Sequence, residues 1–326
     1  MTAPADDRPI LLVAPIAIGD LGKAVAGPHF RIERLWDHPD RAAFLAEQGA
    51  KVTAVLTVGE HHLDLPLLEA LPNLKLIACF AVGYDGVPVE WCRAHGVAVS
   101  HSPAVNADDV ADQAVAMAIS AWRGVVDGDR MIREGRWTPT DRGGFRRALG
   151  GKRVGIVGLG HIGVAIARRM EAFRTQIAWW GPNPKPDAAW PRVETLLDLA
   201  TQSDLLFVAV RAGPHNKGLI DAKVIEAVGP QGLICNVSRG PVIDQAALIA
   251  ALKSGALAYA ALDVFDPEPT SAETWKDVPG TVLTPHTAGG TDASVPAMIA
   301  ATAENLRRFA VGEPLASPIP ELGGEA

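Results

Sequence analysis

The run Gly158-Leu159-Gly160-His161-Ile162-Gly163 constrains the fold more than any other feature of the chain. A β-branched segment, Val154-Gly155-Ile156-Val157, leads into it, and a segment with Ile162, Ala165, Ile166 and Met170 at helical spacing leads out. Each glycine has a steric reason. Gly158 permits the tight turn, Gly160 lets backbone approach a phosphate, and Gly163 lets helix and strand pack closely. The helix start then offers unpaired N–H groups and a positive dipole end to an anion. Three glycines weaken the local backbone, so a turn that binds nothing is the poorer explanation. A dinucleotide is expected here, its pyrophosphate held by Gly158, Gly160, His161, Ile162 and Gly163 within residues 152–174.

The same strand-to-helix rhythm extends on both sides. Buried strands are predicted over 10–14, 52–58, 74–80 and 97–100, with helices over 39–48, 66–70 and 88–95 between them. Two helices, 107–123 and 125–135, and a polar, glycine-rich stretch precede the glycine turn. After it strands fall over 153–157, 176–180, 205–210, 232–236, 258–262 and 281–283, helices over 161–173, 193–201, 221–228 and 245–254, and a long amphipathic helix over 293–311. Alternation of this kind builds parallel sheets covered by helices. The fold class expected is α/β with two Rossmann-like domains: a flavodoxin-like substrate domain and a doubly wound parallel-sheet dinucleotide-binding domain. The substrate domain is predicted from residues 1–101 and 290–326, the dinucleotide-binding domain from 102–289.

Composition excludes several classes. With 326 residues two domains are the default, and 48% hydrophobic with 21% charged residues is ordinary for a folded protein. A net charge of −7 argues against a nucleic-acid or anionic-membrane surface. The longest apolar helical stretch, 110–122, contains Asp112 and Gln113 and is too short to span a bilayer. Residues 1–9 lack a basic-then-apolar signal pattern, so a cytoplasmic protein is expected. Cys79, Cys92 and Cys235 show no metal-ligand spacing and read as small buried hydrophobes. His61, His62, His95, His101, His161 and His215 also lack partners at such spacing.

The ribose end departs from the simple pattern. An NAD site places an Asp or Glu about twenty residues on, at the end of the second strand. Here that strand ends Trp179-Trp180-Gly181-Pro182-Asn183-Pro184-Lys185, without an acid. A carboxylate would repel a 2′-phosphate; Gly181, Asn183 and Lys185 would not. NADP (NADPH) is therefore favoured, with NAD possible.

Three later segments carry one ionisable residue each at a strand end: Arg239 in Asn236-Val237-Ser238-Arg239-Gly240, Glu268 in Leu262–Pro269, and His286 in Thr284–Gly290. Taken singly they read as a turn arginine, a solvated loop charge and a turn histidine. In a parallel sheet, however, loops after strand C-termini line the ligand crevice, so all three point to the same place.

With these motifs, and with Cys79-Phe80-Ala81-Val82-Gly83-Tyr84-Asp85 earlier in the chain, the sequence resembles the D-2-hydroxyacid dehydrogenase family along essentially its whole length. Within it the nearest resemblance is to NADPH-dependent glyoxylate/hydroxypyruvate reductases. The resemblance implies hydride transfer from NADPH to a small 2-oxo acid. His286 would be the general acid, Glu268 its hydrogen-bond partner favouring the charged imidazole, and Arg239 the anchor for substrate carbonyl and carboxylate. The N–H groups of Val82 and Gly83 would hold the carboxylate, with Leu56 over the substrate. Val237, Ser238 and Asp263 would line the nicotinamide side, Asp263 at its carboxamide. Val210, Arg211, Pro214 and Asn216 would form an adenosine-side loop, in which Arg211 is an alternative phosphate anchor. The family also implies a homodimer, made by the helix from Ala107 and the arm before Gly151. Other reactions open to the same core are those of phosphoglycerate, D-lactate and phosphite dehydrogenases. A dinucleotide-sensing binding protein without turnover is the alternative from another class.

Overall fold

The computed structural model describes residues 6–324, so part of the N-terminal segment read above for targeting lies outside the described residues. The chain divides into two compact units, Met1–Val105 with Asp292–Ala326, and Asn106–Thr291.

The first unit holds a five-stranded parallel sheet of β1 (Ile10–Val13), β2 (Arg31–Arg34), β3 (Val52–Thr57), β4 (Leu76–Cys79) and β5 (Ala98–Ser100), in the order β2-β1-β3-β4-β5. That is the flavodoxin-like order. Both faces are buried, and the two-residue period of the strands sorts their side chains between them. Ile10, Leu12, Val55 and Ile77 enter one cluster; Leu11, Val13, Leu56 and Leu76 enter the other, with Met298 and Leu306 of the helix Ser294–Ala310. The edge strand β2, Arg-Ile-Glu-Arg, escaped the sequence reading. All four of its residues are only partly buried, so it carries no apolar run. The short helix Leu21–Ala26 before it was missed with it.

The second unit holds β6 (Arg153–Val157), β7 (Gln176–Trp180), β8 (Leu205–Val208), β9 (Leu233–Asn236), β10 (Tyr259–Leu262) and β11 (Thr281–Leu283), all parallel, in the order β11-β10-β9-β8-β6-β7. Beyond β7 a single parallel bridge, Trp179 to Arg192, stands where the classic dinucleotide fold has its outer strand. Helices Ala107–Arg123 and His161–Glu171 cover one face, over Val154, Ile156, Phe207 and Cys235. Helices Leu196–Thr201, Ala222–Val228 and Gln245–Ser254 cover the other, over Val157, Leu206, Val208 and Ile234. The strand order reverses between β6 and β8, which places the ligand crevice at the ends of those strands.

Candidate active site

The glycine turn lies at that reversal. Gly158 has φ +93°, and a Cβ there would meet the Ala209 carbonyl at 2.8 Å. A Cβ on Gly163 would lie 2.0 Å from the Gly158 carbonyl. These two glycines close the turn against protein. Gly160 differs: a Cβ there would meet nothing within 4 Å, so its backbone borders open space. The helix His161–Glu171 starts at that point without a side-chain cap and without an acidic residue in its first turn. An uncapped helix start facing open space fits a phosphate group.

At the ribose end, Lys185 folds back so that Nζ donates to the Leu159 carbonyl, 2.7 Å away and one residue before Gly160. Arg192 donates through Nη2 to the Gly181 carbonyl at 2.9 Å, its guanidinium over the buried Trp179 ring. Neither cation has a carboxylate within 4 Å among the described residues. Arg192 is the residue that sequence reasoning missed. It lies eleven positions beyond Gly181, and only the Trp179 bridge brings it alongside β7. Asn183 is exposed in the same loop. On the other side of the turn, Asn216 Nδ2 donates to the Arg211 carbonyl at 2.6 Å across the short turn Pro214–Asn216, which follows Val210.

The three ionisable residues are locked together by backbone. After β9, the buried Asn236 side chain accepts from Ser238 N–H at 3.0 Å and donates to the Arg239 carbonyl at 3.0 Å. Val237 is buried beside them, and the Ser238 hydroxyl donates to the Val210 carbonyl. Gly240 must be glycine, because a Cβ would lie 1.9 Å from the Phe265 carbonyl. The Arg239 loop thereby packs on the segment leading to Glu268. Phe265 N–H donates to Glu268 Oε1 at 2.8 Å, and Glu268 Oε2 accepts from His286 Nδ1 at 2.7 Å.

His286 occupies left-handed backbone space at φ +52°, uncommon outside glycine and often a mark of function. What holds it there is Asp263, wholly buried after β10. Its carboxylate accepts from Thr284 Oγ1 at 2.5 Å and from the N–H groups of Thr287 at 2.9 Å and Ala288 at 3.0 Å, while its carbonyl accepts from His286 N–H at 2.8 Å. Glu268 is opposed by burial, which disfavours its charge, but the His286 and Phe265 hydrogen bonds and the nearby Arg239 charge outweigh burial and hold its carboxyl below its ordinary 4.5.

In the first unit, Val82 and Gly83 form a partly exposed loop after β4. Leu56 requires a correction. It lies within β3, is 0% exposed, and packs in the core with Leu11, Val13 and Phe80. Its side chain is part of the core and offers no exposed surface to a substrate. Its place in the strand period, rather than its nearness to the following loop, decides which way it faces.

A dinucleotide-type sheet with an Arg, Glu and His set at its strand ends defines a nicotinamide-dependent oxidoreductase, and comparison with known proteins gives its family. Residues 115–288 match the family described as D-isomer specific 2-hydroxyacid dehydrogenase, NAD binding domain. Hydroxyphenylpyruvate reductase of Plectranthus scutellarioides is 36% identical over 89% of this chain and 92% of its own. Glyoxylate/hydroxypyruvate reductase A of Arabidopsis thaliana is also 36% identical, over the same shares. Among solved structures, the NADPH-dependent glyoxylate/hydroxypyruvate reductase of Sinorhizobium meliloti, in complex with NADP and malonate, superposes with a TM-score of 0.88 at 32% identity, covering 98% of this chain and 99% of that one. The chain belongs to the D-isomer-specific 2-hydroxyacid dehydrogenases, which interconvert 2-oxo acids and D-2-hydroxy acids with a nicotinamide dinucleotide.

Proposed function

We propose that this enzyme reduces glyoxylate or hydroxypyruvate with NADPH, the first unit serving as substrate domain and the second as dinucleotide domain. The observation that carries this reading is the His286–Glu268 pair at 2.7 Å, locked to the Arg239 loop beside a β7 end that has cations and no acid. A bound nicotinamide supplies the hydride. Glu268 accepts from His286 Nδ1–H, so the proton that His286 gives to the substrate carbonyl oxygen is the one on Nε2. Arg239 binds the carbonyl and carboxylate through its planar fork, and the Val82 and Gly83 N–H groups hold the carboxylate. Asp263 keeps the His286 turn in its left-handed conformation.

The test is a panel of 2-oxo acids (glyoxylate, hydroxypyruvate, an arylpyruvate and pyruvate) crossed with NADPH and NADH. Turnover is expected to be fastest with the first two acids and NADPH. Lys185→Ala/Arg192→Ala is expected to lower kcat/KM for NADPH by about tenfold or more, on the scale of charge-assisted hydrogen bonds to phosphate, and to leave NADH nearly unaffected. A wild-type preference for NADH, or equal losses with both coenzymes, overturns the assignment of these two cations.

Glu268 also sets a pH dependence. Its folded pKa is lowered, so its contribution to stability is present at neutral pH and is lost as pH falls through 4.5 towards the folded value. Coupling is reciprocal: the imidazolium that lowers the Glu268 pKa is itself favoured by the carboxylate. Glu268→Gln is therefore expected to move the alkaline limb of the reduction profile to lower pH. An unmoved limb in a kcat/KM profile from pH 5 to 9 would count against the pairing.

The arm between Val125 and Leu149 presents Val125, Ile132, Trp137 and a fully exposed Phe145. We assign this apolar face to a homodimer. Light scattering is expected to give two chains for the wild type and one for Trp137→Glu/Phe145→Glu. A monomeric wild type rules the assignment out. The three cysteines are buried and form no disulfide among the described residues, which suits a reducing compartment, and cell fractionation checks the cytoplasmic placement.

A further inference from the structure

His101 belongs to no motif and to no metal-ligating cluster among the described residues, yet it lies behind the Ala81-Val82-Gly83 loop. All three carbonyls of that loop are held by the first unit itself. The Ala81 carbonyl accepts from Ser102 N–H at 2.9 Å, the Val82 carbonyl from His101 Nδ1 at 2.9 Å, and the Gly83 carbonyl from Cys79 Sγ at 3.2 Å. The N–H groups of Val82 and Gly83 donate to no other group among the described residues. Successive N–H groups left over in this way make an anion-binding concavity.

His101 is itself fixed. It is 9% exposed, its N–H donates to the Ser317 carbonyl at 3.1 Å, and its carbonyl accepts from Ser317 Oγ at 2.6 Å. Its ring meets the Tyr84 ring edge-on at 5.1 Å, and the Tyr84 hydroxyl donates to Glu321 Oε2 at 2.6 Å. A carbonyl can only accept, so Nδ1 carries a proton in this contact. Gly83 has no Cβ, and a flip of the Val82–Gly83 peptide would meet little steric resistance. That flip would replace a donor by a carbonyl oxygen directed at the substrate carboxylate. The His101 contact opposes it.

We propose that His101 is a positioning residue for the carboxylate of the 2-oxo acid: through the Val82 carbonyl it keeps the Gly83 N–H of the same peptide aimed outwards, as Ser102 N–H does for the Val82 N–H through the Ala81 carbonyl. This rests on the reading that those two groups hold the carboxylate. Cys79 holds only the next peptide, through the Gly83 carbonyl, and orients neither N–H group.

The experiment is steady-state kinetics on the full-length protein with NADPH, glyoxylate and the corresponding 2-oxo amide, for wild type, His101→Leu, His101→Asn and Cys79→Ala. His101→Leu is expected to raise KM for the acid by about tenfold, the scale of one lost hydrogen bond, with kcat and KM for NADPH close to wild type. The weak KM for the amide should not change. His101→Asn, whose Nδ2–H can reach the same carbonyl, should restore KM, and Cys79→Ala should raise it less than His101→Leu. A folded His101→Leu with unchanged KM, an equal loss for acid and amide, or no recovery in His101→Asn overturns the proposal. Should His101→Leu not fold, His101→Ala takes its place: a raised KM for the acid alone, with a wild-type KM in His101→Asn, supports the proposal, and any other pair of values overturns it. A wild type that takes acid and amide equally well refutes the carboxylate reading itself. A wild type that prefers the acid while His101→Leu is silent refutes only the role of His101.

Discussion

Replacing His286 by Asn is expected to lower kcat for 2-oxo acid reduction by about 10²- to 10⁴-fold, the usual contribution of a positioned general acid, while NADPH still binds. Asn is the informative replacement because residue 286 sits at φ +52°, which Asn tolerates better than most residues. The Asp263 clamp on residues 284–288 can therefore persist, and the loss reports the missing proton donor rather than a collapsed turn. The measurement is single-turnover hydride transfer at saturating NADPH. Near wild-type turnover in His286→Asn would falsify the mechanism. In the reverse direction the same side chain must accept a proton, so oxidation of the D-2-hydroxy acid should fall by a similar factor.

Arg239→Ala is the second large effect. Each hydrogen bond from a guanidinium to a charged group contributes about 1.5–3 kcal/mol, so losing two should lower kcat/KM for the acid by about 10²- to 10⁴-fold. Arg239→Lys keeps the charge but not the fork, and should recover only part of this. The backbone of residue 239 is held independently by Asn236 and by the contact of Gly240 with Phe265, so the loop is expected to survive the substitution. Removing Arg239 also removes one of the charges that lower the Glu268 pKa. The pH profile of Arg239→Ala should therefore shift as well as drop. A loss confined to KM for NADPH, with the acid unaffected, would place Arg239 on the cofactor instead.

The chemistry of this chain was legible in its sequence wherever local sterics leave one solution. The glycine turn is such a place: three glycines between a β-branched strand and an apolar helix permit a dinucleotide turn and little else. Strands buried on both faces announce themselves as continuous apolar runs and so mark where the following loops begin, which is how Arg239, Glu268 and His286 could be named together. Where a residue's role depends on which neighbour it meets, sequence was silent or misleading. β2 has no apolar run because it is an edge. Leu56 adjoins a loop in sequence but points into the core, because alternation along β3 sends it there. Arg192 reaches the end of β7 only through one bridge, and Asp263 turns out to hold the His286 turn because three donors twenty-one to twenty-five residues away converge on it. The sequence by itself determined the α/β class and the family, and it named the three side chains proposed to react, since each is written in side-chain type and short-range spacing. Only the tertiary structure decided which groups orient them, because hydrogen bonds such as those from the Thr287 N–H to Asp263 and from His101 to the Val82 carbonyl join positions that no local pattern links.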